Sequence, residues 1–272
     1  MFPLTEAQIR RYARHIVLPG VGGRGQRRLL RSRVLIIGAG GLGCPAALYL
    51  AAAGVGTIGI VDDDVVEESN LQRQILFRPE DVGRPKAEVA RERLQAFNPD
   101  VTVIPYVERF TAANARDRVA GYDLVIDGSD NFPTKYLASD VCVWEGKPLI
   151  WGAVFQYEGQ VGSFPPGGRP CFRCLLPSPP PPDQVPDCQQ AGVFGALAGV
   201  IGAMQAMEAL KALLGLGAPP AGRLLVFDGL QAEWLHVQVD RRPDCPVCGD
   251  RPTVTEPVDY EAFCGIVRAP RP

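Results

Sequence analysis

A chain of 272 residues, 46% hydrophobic and 21% charged, can bury the core of one large α/β domain, or of one domain with a small appendage. Its 28 Lys and Arg against 30 Asp and Glu leave a formal net charge of −2, which excludes a global pull toward nucleic acid or an anionic membrane. Anion binding must therefore be local. The opening stretch MFPLTEAQIRRYARHI has scattered charges and no apolar run before a small-residue cleavage site. No secretory signal is read there, and a cytoplasmic location is expected.

Residues 1–32 are expected to form a helical arm, with Thr5 and Gln8 at capping-box spacing ahead of an amphipathic pattern. The basic stretch RGQRRLLRSR, from Arg24 to Arg33, has no interleaved aromatics and reads as a solvated helix face, not as an RNA site. Next, RVLII, GAGGLG, CPAALYLAAAG and GTIGIVD follow one another as strand, glycine turn, helix and second strand, one βαβ unit ending at Asp62. RPKAEVARERLQAFNPD then reads as a helix, VTVIPYVE and YDLVIDGSD as strands, NFPTKYLASDVCVWEG as a helix and KPLIWGAV as a strand. This alternation over residues 33–161 predicts a doubly wound, Rossmann-like α/β core with a mainly parallel sheet.

After Val161 the stretch FPPGGRPCFRCLLPSPPPPDQVPDC is crowded with prolines, so residues 162–192 are expected to be a mobile, partly extended crossover. Residues 193–248 are expected to complete the same fold with a long helix from Val193 to Leu214 and strands at RLLVFDG and EWLHVQV; residues 249–272 form a tail. The apolar run VFGALAGVIGAM meets Gln205, Glu208 and Lys211 before reaching the ~20 apolar residues of a membrane span, so a buried or subunit-interface helix is expected.

Gly38, Gly40 and Gly43 match the G-x-G-x-x-G fingerprint that brings a pyrophosphate against backbone N–H groups at a helix N-terminus. NAD is the first ligand this suggests. Asp62 at the end of the next strand suits a ribose, which NAD and ATP share. The discriminating residues are Arg73 and Lys86, because a triphosphate needs cations on its outer phosphates and a dinucleotide does not. Asp127 and Asp130 follow a later strand, where a carboxylate can hold Mg²⁺; Asp130 is the preferred ligand, and Asp127 reads equally as a turn or cap residue. Cys171 and Cys174 in CFRC, with Cys245 and Cys248 in CPVC, have the spacing of a closed, structural Cys₄ zinc site tying the crossover to the C-terminus. Most of the eight cysteines are thus read as metal-binding, as suits a reducing compartment.

Together GAGGLGCPAALYLAAAGVG, Asp62 with SNLQRQ, VGRPK, SDN, the paired CxxC motifs and AGVFGALAGVIGAMQAMEALK resemble the MoeB/ThiF group of the E1-like, ubiquitin-activating-type superfamily, from about Tyr12 to Cys248. The resemblance implies MgATP-dependent adenylation of the C-terminal glycine carboxylate of a small ubiquitin-like sulfur carrier of the MoaD or ThiS kind. Pyrophosphate is released, and the product is prepared for thiocarboxylate formation by a separate sulfur donor, a cysteine desulfurase or rhodanese. It implies that Gly41 and its neighbours contact the nucleotide and Asp62 its ribose. The stretch Ser69, Asn70, Leu71, Gln72, Arg73 and Gln74 is placed against the nucleotide, with Asn70, Arg73 and Lys86 on the phosphates. Asp130 would serve Mg²⁺ beside Asn131, and Arg14 would reach the partner's phosphates in a homodimer. Cys188 is the candidate for a covalent bond to the carrier or a persulfide; Cys44, Cys142 and Cys264 are assigned no function. No nucleic-acid or membrane partner is expected.

Three alternatives remain at this stage. An NAD-dependent oxidoreductase would need a proton relay from His15 or His236, the only histidines. A zinc-stabilised module would bind nucleotide without turnover. An E1-like dehydratase would activate a tRNA-base carboxylate, against which the paired knuckles and the match after Cys188 speak. Whether molybdopterin, thiamine or tRNA thiolation is served is open.

Overall fold

The computed structural model describes residues 3–179, 192–218, 221–258 and 260. Its centre is β1 (Arg33–Ile37), whose sequence RVLII is buried from Val34 onward, as a strand covered on both faces must be. Around it stand β2 (Thr57–Val61), β3 (Thr102–Tyr106), β4 (Leu124–Asp127) and β5 (Leu149–Phe155), all parallel, in the order β3-β2-β1-β4-β5. The order reverses between β1 and β4, which opens a crevice at the carboxyl ends of those strands.

Alternate side chains of β1 point to opposite faces and nucleate two cores. Val34 and Ile36 join Cys44, Leu50, Leu94 and Ile201 on one face; Leu35 and Ile37 join Val125, Tyr136, Trp151 and Phe172 on the other. The helices α4 (Gly43–Ala53), α5 (Lys86–Phe97), α6 (Ala115–Ala120) and α7 (Phe132–Trp144) make the crossovers. The mainly parallel, doubly wound expectation holds.

Sheet continues beyond the parallel strands. The strand β6 (Glu158–Phe164) pairs antiparallel with β5 across a tight turn at Gln156 and Tyr157, where Gln156 has φ 51°. So short a connection forces an antiparallel return, since a parallel one needs a crossover. Then β7 (Arg223–Asp228) and β8 (Glu233–Gln238) extend the sheet to eight strands. Between β6 and β7 in sequence lie α8 (Phe172–Leu175) and α9 (Gly195–Leu214).

By length and hydropathy α9 meets the requirement for a membrane span, yet here it is a core helix packed on α4, β5 and β6. Its polar residues find partners inside the protein, except that Gln205 Oε1 is buried with none among the described residues. The Gln205 amide donates to the Asp127 carbonyl at 2.7 Å, and Glu208 accepts from Lys211 at 2.6 Å and Arg223 at 3.0 Å. Gly202 permits the approach to α4, because a Cβ there would lie 2.4 Å from the Leu42 carbonyl oxygen.

The arm consists of α1 (Glu6–Arg11), α2 (Ala13–Ile16) and α3 (Gly22–Leu29). The Thr5–Gln8 capping box is present. Tyr12 anchors the arm: its hydroxyl donates to Asp100 Oδ2 at 2.9 Å and accepts from Asn98 Nδ2 at 2.9 Å, and burial pushes its pKa up to about 12.

Replacing Gly202 by Val is expected to destabilise the protein by about 1–3 kcal/mol through overpacking of α9 on α4. An unchanged denaturation midpoint would mean that the two helices are not in contact.

Candidate nucleotide crevice and cysteine cluster

The turn from β1 to α4 is built from glycines for steric reasons. Gly38 has φ +93°, a region that side chains avoid, and a Cβ on Gly43 would sit 1.9 Å from the Gly38 carbonyl oxygen. The Leu42 position that precedes α4 makes no side-chain cap; within the first turn the Cys44 N–H donates to the Gly40 carbonyl at 3.0 Å and Pro45 has no N–H, so the glycine-loop amides ahead of the helix and its positive end are what the crevice can offer. The arrangement suits an anion. Gly41 stands against the stem of Arg73 and against Ala198 of α9: a Cβ there would lie 3.4 Å from Arg73 Cγ and Cδ and 3.1 Å from Ala198 Cβ.

Asp62, just beyond β2, closes on the same turn. Its Oδ2 accepts from the Ala39 N–H at 2.6 Å and its Oδ1 from the Asp64 N–H at 2.9 Å. Burial pushes its pKa up to about 6, against the opposing pull of Lys86 and those two amides. Lys86 is the first residue of α5, where a cation opposes the helix dipole; its Nζ is 3.1 Å from Asp64 Oδ2. A buried lysine at that end of a helix is a feature held for charge, and Asp64 is the carboxylate that holds it. Cys44 lies beneath the turn with its thiol donating to the Ala39 carbonyl at 3.3 Å, and burial raises its pKa to about 12. It is a buried packing residue.

A single 3₁₀ turn, Glu68–Asn70, presents the SNLQRQ stretch. Asn70 is buried, with Oδ1 accepting from the Glu67 N–H at 3.2 Å and Nδ2 donating to Ser69 Oγ at 3.3 Å. Arg73 donates from Nη1 to the Ser69 carbonyl at 3.1 Å, which aims its stem across Gly41. Leu71 packs on the core, and Gln72 lies against Gly195 at the start of α9. Gln74 is buried beside Gly40, and its Oε1 has no partner among the described residues.

At the end of β4, Asp127 is fully buried and fully engaged. It accepts from the Ser129 N–H at 3.0 Å and hydroxyl at 2.6 Å, and from Lys135 Nζ at 2.9 Å; Lys135 also donates to the Gly152 carbonyl at 2.6 Å. The turn reading of Asp127 prevails over the metal reading. Asp130 is exposed at the rim, and Asn131 caps α7 through the Thr134 N–H at 3.0 Å, its amide 3.5 Å from Asp130 Oδ1.

The structure thus gathers Gly38, Gly40, Gly41, Gly43, Asp62, Arg73, Gln74 and Lys86 by direct neighbourhood, with Asp130 and Asn131 following β4 across the crevice. Arg14 lies apart, exposed on α2. Cys188 falls outside the described residues. Sequence reasoning overlooked Asp64 and Lys135. The first had a signal in the run DDD at 62–64; the second had only its position one turn into α7, where a lysine ordinarily reads as solvated.

The four knuckle cysteines converge. All Sγ atoms of Cys171, Cys174, Cys245 and Cys248 lie within 4.8 Å of one another, with Cys171 to Cys245 at 3.6 Å and Cys174 to Cys248 at 3.4 Å. Zn–S bonds of ~2.3 Å in a tetrahedron require edges of about 3.8 Å, so the donor set fits zinc and leaves no coordination position open. Both of these sulfur contacts run between the two motifs, as a four-ligand cage requires and a redox pair within one motif does not. Between the first two ligands, Arg173 points inward to Asp140, Nε to Oδ1 at 2.9 Å, and donates to the Tyr260 hydroxyl at 2.6 Å.

The model of the ThiF family matches residues 12–247. The chain is 54% identical to the sulfur carrier protein adenylyltransferase of Thermus thermophilus, over 96% of this chain and 98% of that protein. It is 50% identical to the SAMP-activating enzyme E1 of Haloferax volcanii, over 97% of each. It is also 50% identical to the adenylyltransferase and sulfurtransferase MOCS3 of Bos taurus, covering 96% of this chain and 58% of that protein. Among solved structures, the fold is similar to E. coli MccB crystallised with AMPCPP and MccA, with a TM-score of 0.78 and 24% identity over 90% of this chain and 75% of that one.

Asp62 generates a pH test. Its folded pKa is raised to about 6, above the ~3.9 of an unfolded aspartate, so its ionisation opposes folding above that range and the opposition is released as pH falls toward 4. The stability of Asp62→Asn relative to the unaltered chain should therefore rise by about 2 kcal/mol between roughly pH 4 and pH 7. A difference that is flat with pH would sink this assignment.

Proposed function

The chain belongs to the ThiF family, and from that premise we propose that it is an ATP-dependent adenylyltransferase acting on the C-terminal glycine carboxylate of a ubiquitin-like sulfur carrier protein. The observation that carries this reading is the meeting, at one sheet edge, of an uncapped glycine-turn helix with Arg73 across Gly41 and Lys86 beside Asp62. A dinucleotide needs only the first of these; a triphosphate needs the cations as well.

The chemistry follows from the charges. The carrier's terminal carboxylate is already ionised at neutral pH and needs no general base. One of its oxygens attacks the α-phosphorus, an acyl–O–P bond forms, and the bond to the bridging oxygen of the β-phosphate breaks. Pyrophosphate leaves with the bonding pair. The glycine turn and α4 N-terminus hold phosphate, Asp62 accepts from the ribose, and Asn70, Arg73 and Lys86 neutralise charge on the leaving group. Asp130, exposed at the rim, suits Mg²⁺, which keeps much of its water and takes one or two carboxylates beside the phosphates.

Arg14 completes the site from a second copy in a homodimer; its exposure and the absence of any hydrogen bond or ion pair to it among the described residues support that role. The zinc held by Cys171, Cys174, Cys245 and Cys248 is structural. Sulfur arrives from a separate donor in the cytoplasm, and the arm of residues 1–32, the core of 33–161, the crossover of 162–192 and the closing part of 193–248 divide the work. The oxidoreductase alternative lacks a relay, because His15 is held by Gln26 in the arm at 3.3 Å and His236 lies on β8 near the far edge of the sheet.

Arg73→Ala and Lys86→Ala should each slow ATP–pyrophosphate exchange by about 10²- to 10³-fold with the carrier present, while the melting temperature stays near that of the unaltered chain. Near-normal exchange would remove the residue concerned from the mechanism. Metal analysis should find one zinc per chain, lost in Cys245→Ser together with a clear fall in thermal stability; a stable, zinc-free protein would overturn the structural assignment.

A further inference from the structure

The basic stretch from Arg24 to Arg33 is not explained by adenylation. It begins in α3 and ends at the start of β1, at the opposite edge of the sheet from the glycine turn. There it borders a cavity of about 560 Å³, in the size range of small-molecule sites. Arg24, Arg27, Arg28 and Arg31 stand around this cavity, together with Ser32, Asp123 and an apolar wall that includes Leu124, Pro148 and Leu213. We propose that it is a second anion site, which takes a small phosphorylated molecule carrying two or more phosphoryl groups.

Three observations support this. First, the guanidinium groups of Arg24, Arg27 and Arg28 make no hydrogen bond or ion pair with the described residues, whereas Arg84, Arg93, Arg118, Arg173 and Arg223 each meet a carboxylate. Second, Arg27 Nε is buried and unpartnered, so a donor is withheld from water with nothing among the described residues to receive its proton. Such a group is costly unless a ligand satisfies it.

Third, the opposing negative charge among the described residues lining the cavity is small. Asp123 already accepts from the Arg33 N–H at 2.8 Å, and the remaining negative feature is the carbonyl end of α9, whose last turn is closed by the left-handed Gly215. Arg24, Arg27 and Arg28 alone outweigh one carboxylate and a helix end, and the fork of a guanidinium matches phosphate oxygens. The concave shape and the absence of aromatics in the wall favour a small molecule over a nucleic-acid strand.

The test is calorimetric titration of the full chain with inorganic tripolyphosphate, comparing the unaltered protein with Arg27→Gln/Arg28→Gln and with a charge-matched control, Arg10→Gln/Arg11→Gln. Binding at the glycine turn contributes equally to all three, so the difference reports the arginine cavity. The expected result is a binding event weakened about tenfold or more in the first variant alone, with ATP–pyrophosphate exchange within about twofold of the unaltered chain. Identical isotherms, or equal weakening in the control, would overturn the proposal. So would a lowered melting temperature with unchanged binding, which would make the arginines a brace for the end of α9. Should the double variant not fold, Arg24→Gln, exposed on the rim, is scored in the same way. Absence of exchange in every protein would count against the proposed adenylation and leave this site to be judged by the titration.

Discussion

No side chain fits at Gly43, because the carbonyl of Gly38 already occupies the place where a Cβ would go. That contact holds the end of β1 against the first turn of α4 with no side chain between them. Everything else in the site is arranged around that turn. Asp62 grips it through Ala39, Arg73 crosses it at Gly41, Gln74 backs it at Gly40, and the loop after β4 closes it through Gly128.

Beneath the crevice runs a buried polar linkage. Lys135 on α7 joins the Asp127 side chain of β4 to the Gly152 carbonyl of β5, while Gln205 on α9 reaches the Asp127 main chain from the opposite layer. Removing one partner of such a buried pair typically costs about 3–5 kcal/mol, far more than a surface ion pair contributes. This linkage sets the height of the β4 loop, and so where Asp130 and Asn131 stand. Trp151, whose ring lies 5.2 Å from Lys135 Nζ, adds a cation–π contact on the α7 side.

The cysteine cluster constrains the other end of the chain. Four thiols gathered within 4.8 Å with Arg173, Asp140 and Tyr260 buried beside them bind the segment after β6 to the segment after β8. A metal there closes a loop of more than seventy residues in sequence, as Cys171 and Cys245 are 74 apart. Such closure restricts the unfolded chain most where the loop is long. Because α9 lies within that loop, the cage also holds the helix that presses on Gly41 through Ala198.

Local patterning determined much of this. The apolar runs and glycine spacing were enough to place β1, α4 and β2, the capping residues marked α1, and the equal CxxC spacing announced a four-sulfur site, because each depends on neighbours in sequence. The motifs around Asp62, Arg73 and Lys86 pointed to a triphosphate for the same reason. What the tertiary structure decided are the facts that depend on partners far apart in the chain. Asp127 became an ion-pair partner because α7 delivers Lys135 to it, and Asp64 mattered because the start of α5 returns beside β2. The apolar helix α9 became a core element because α4 and β5 cover it, and four arginines that read as a solvated face came to enclose a cavity because β4, β5 and the end of α9 rise opposite them. A residue's type states which charge or hydrogen bond it can offer; only the packed chain settles what stands there to receive it.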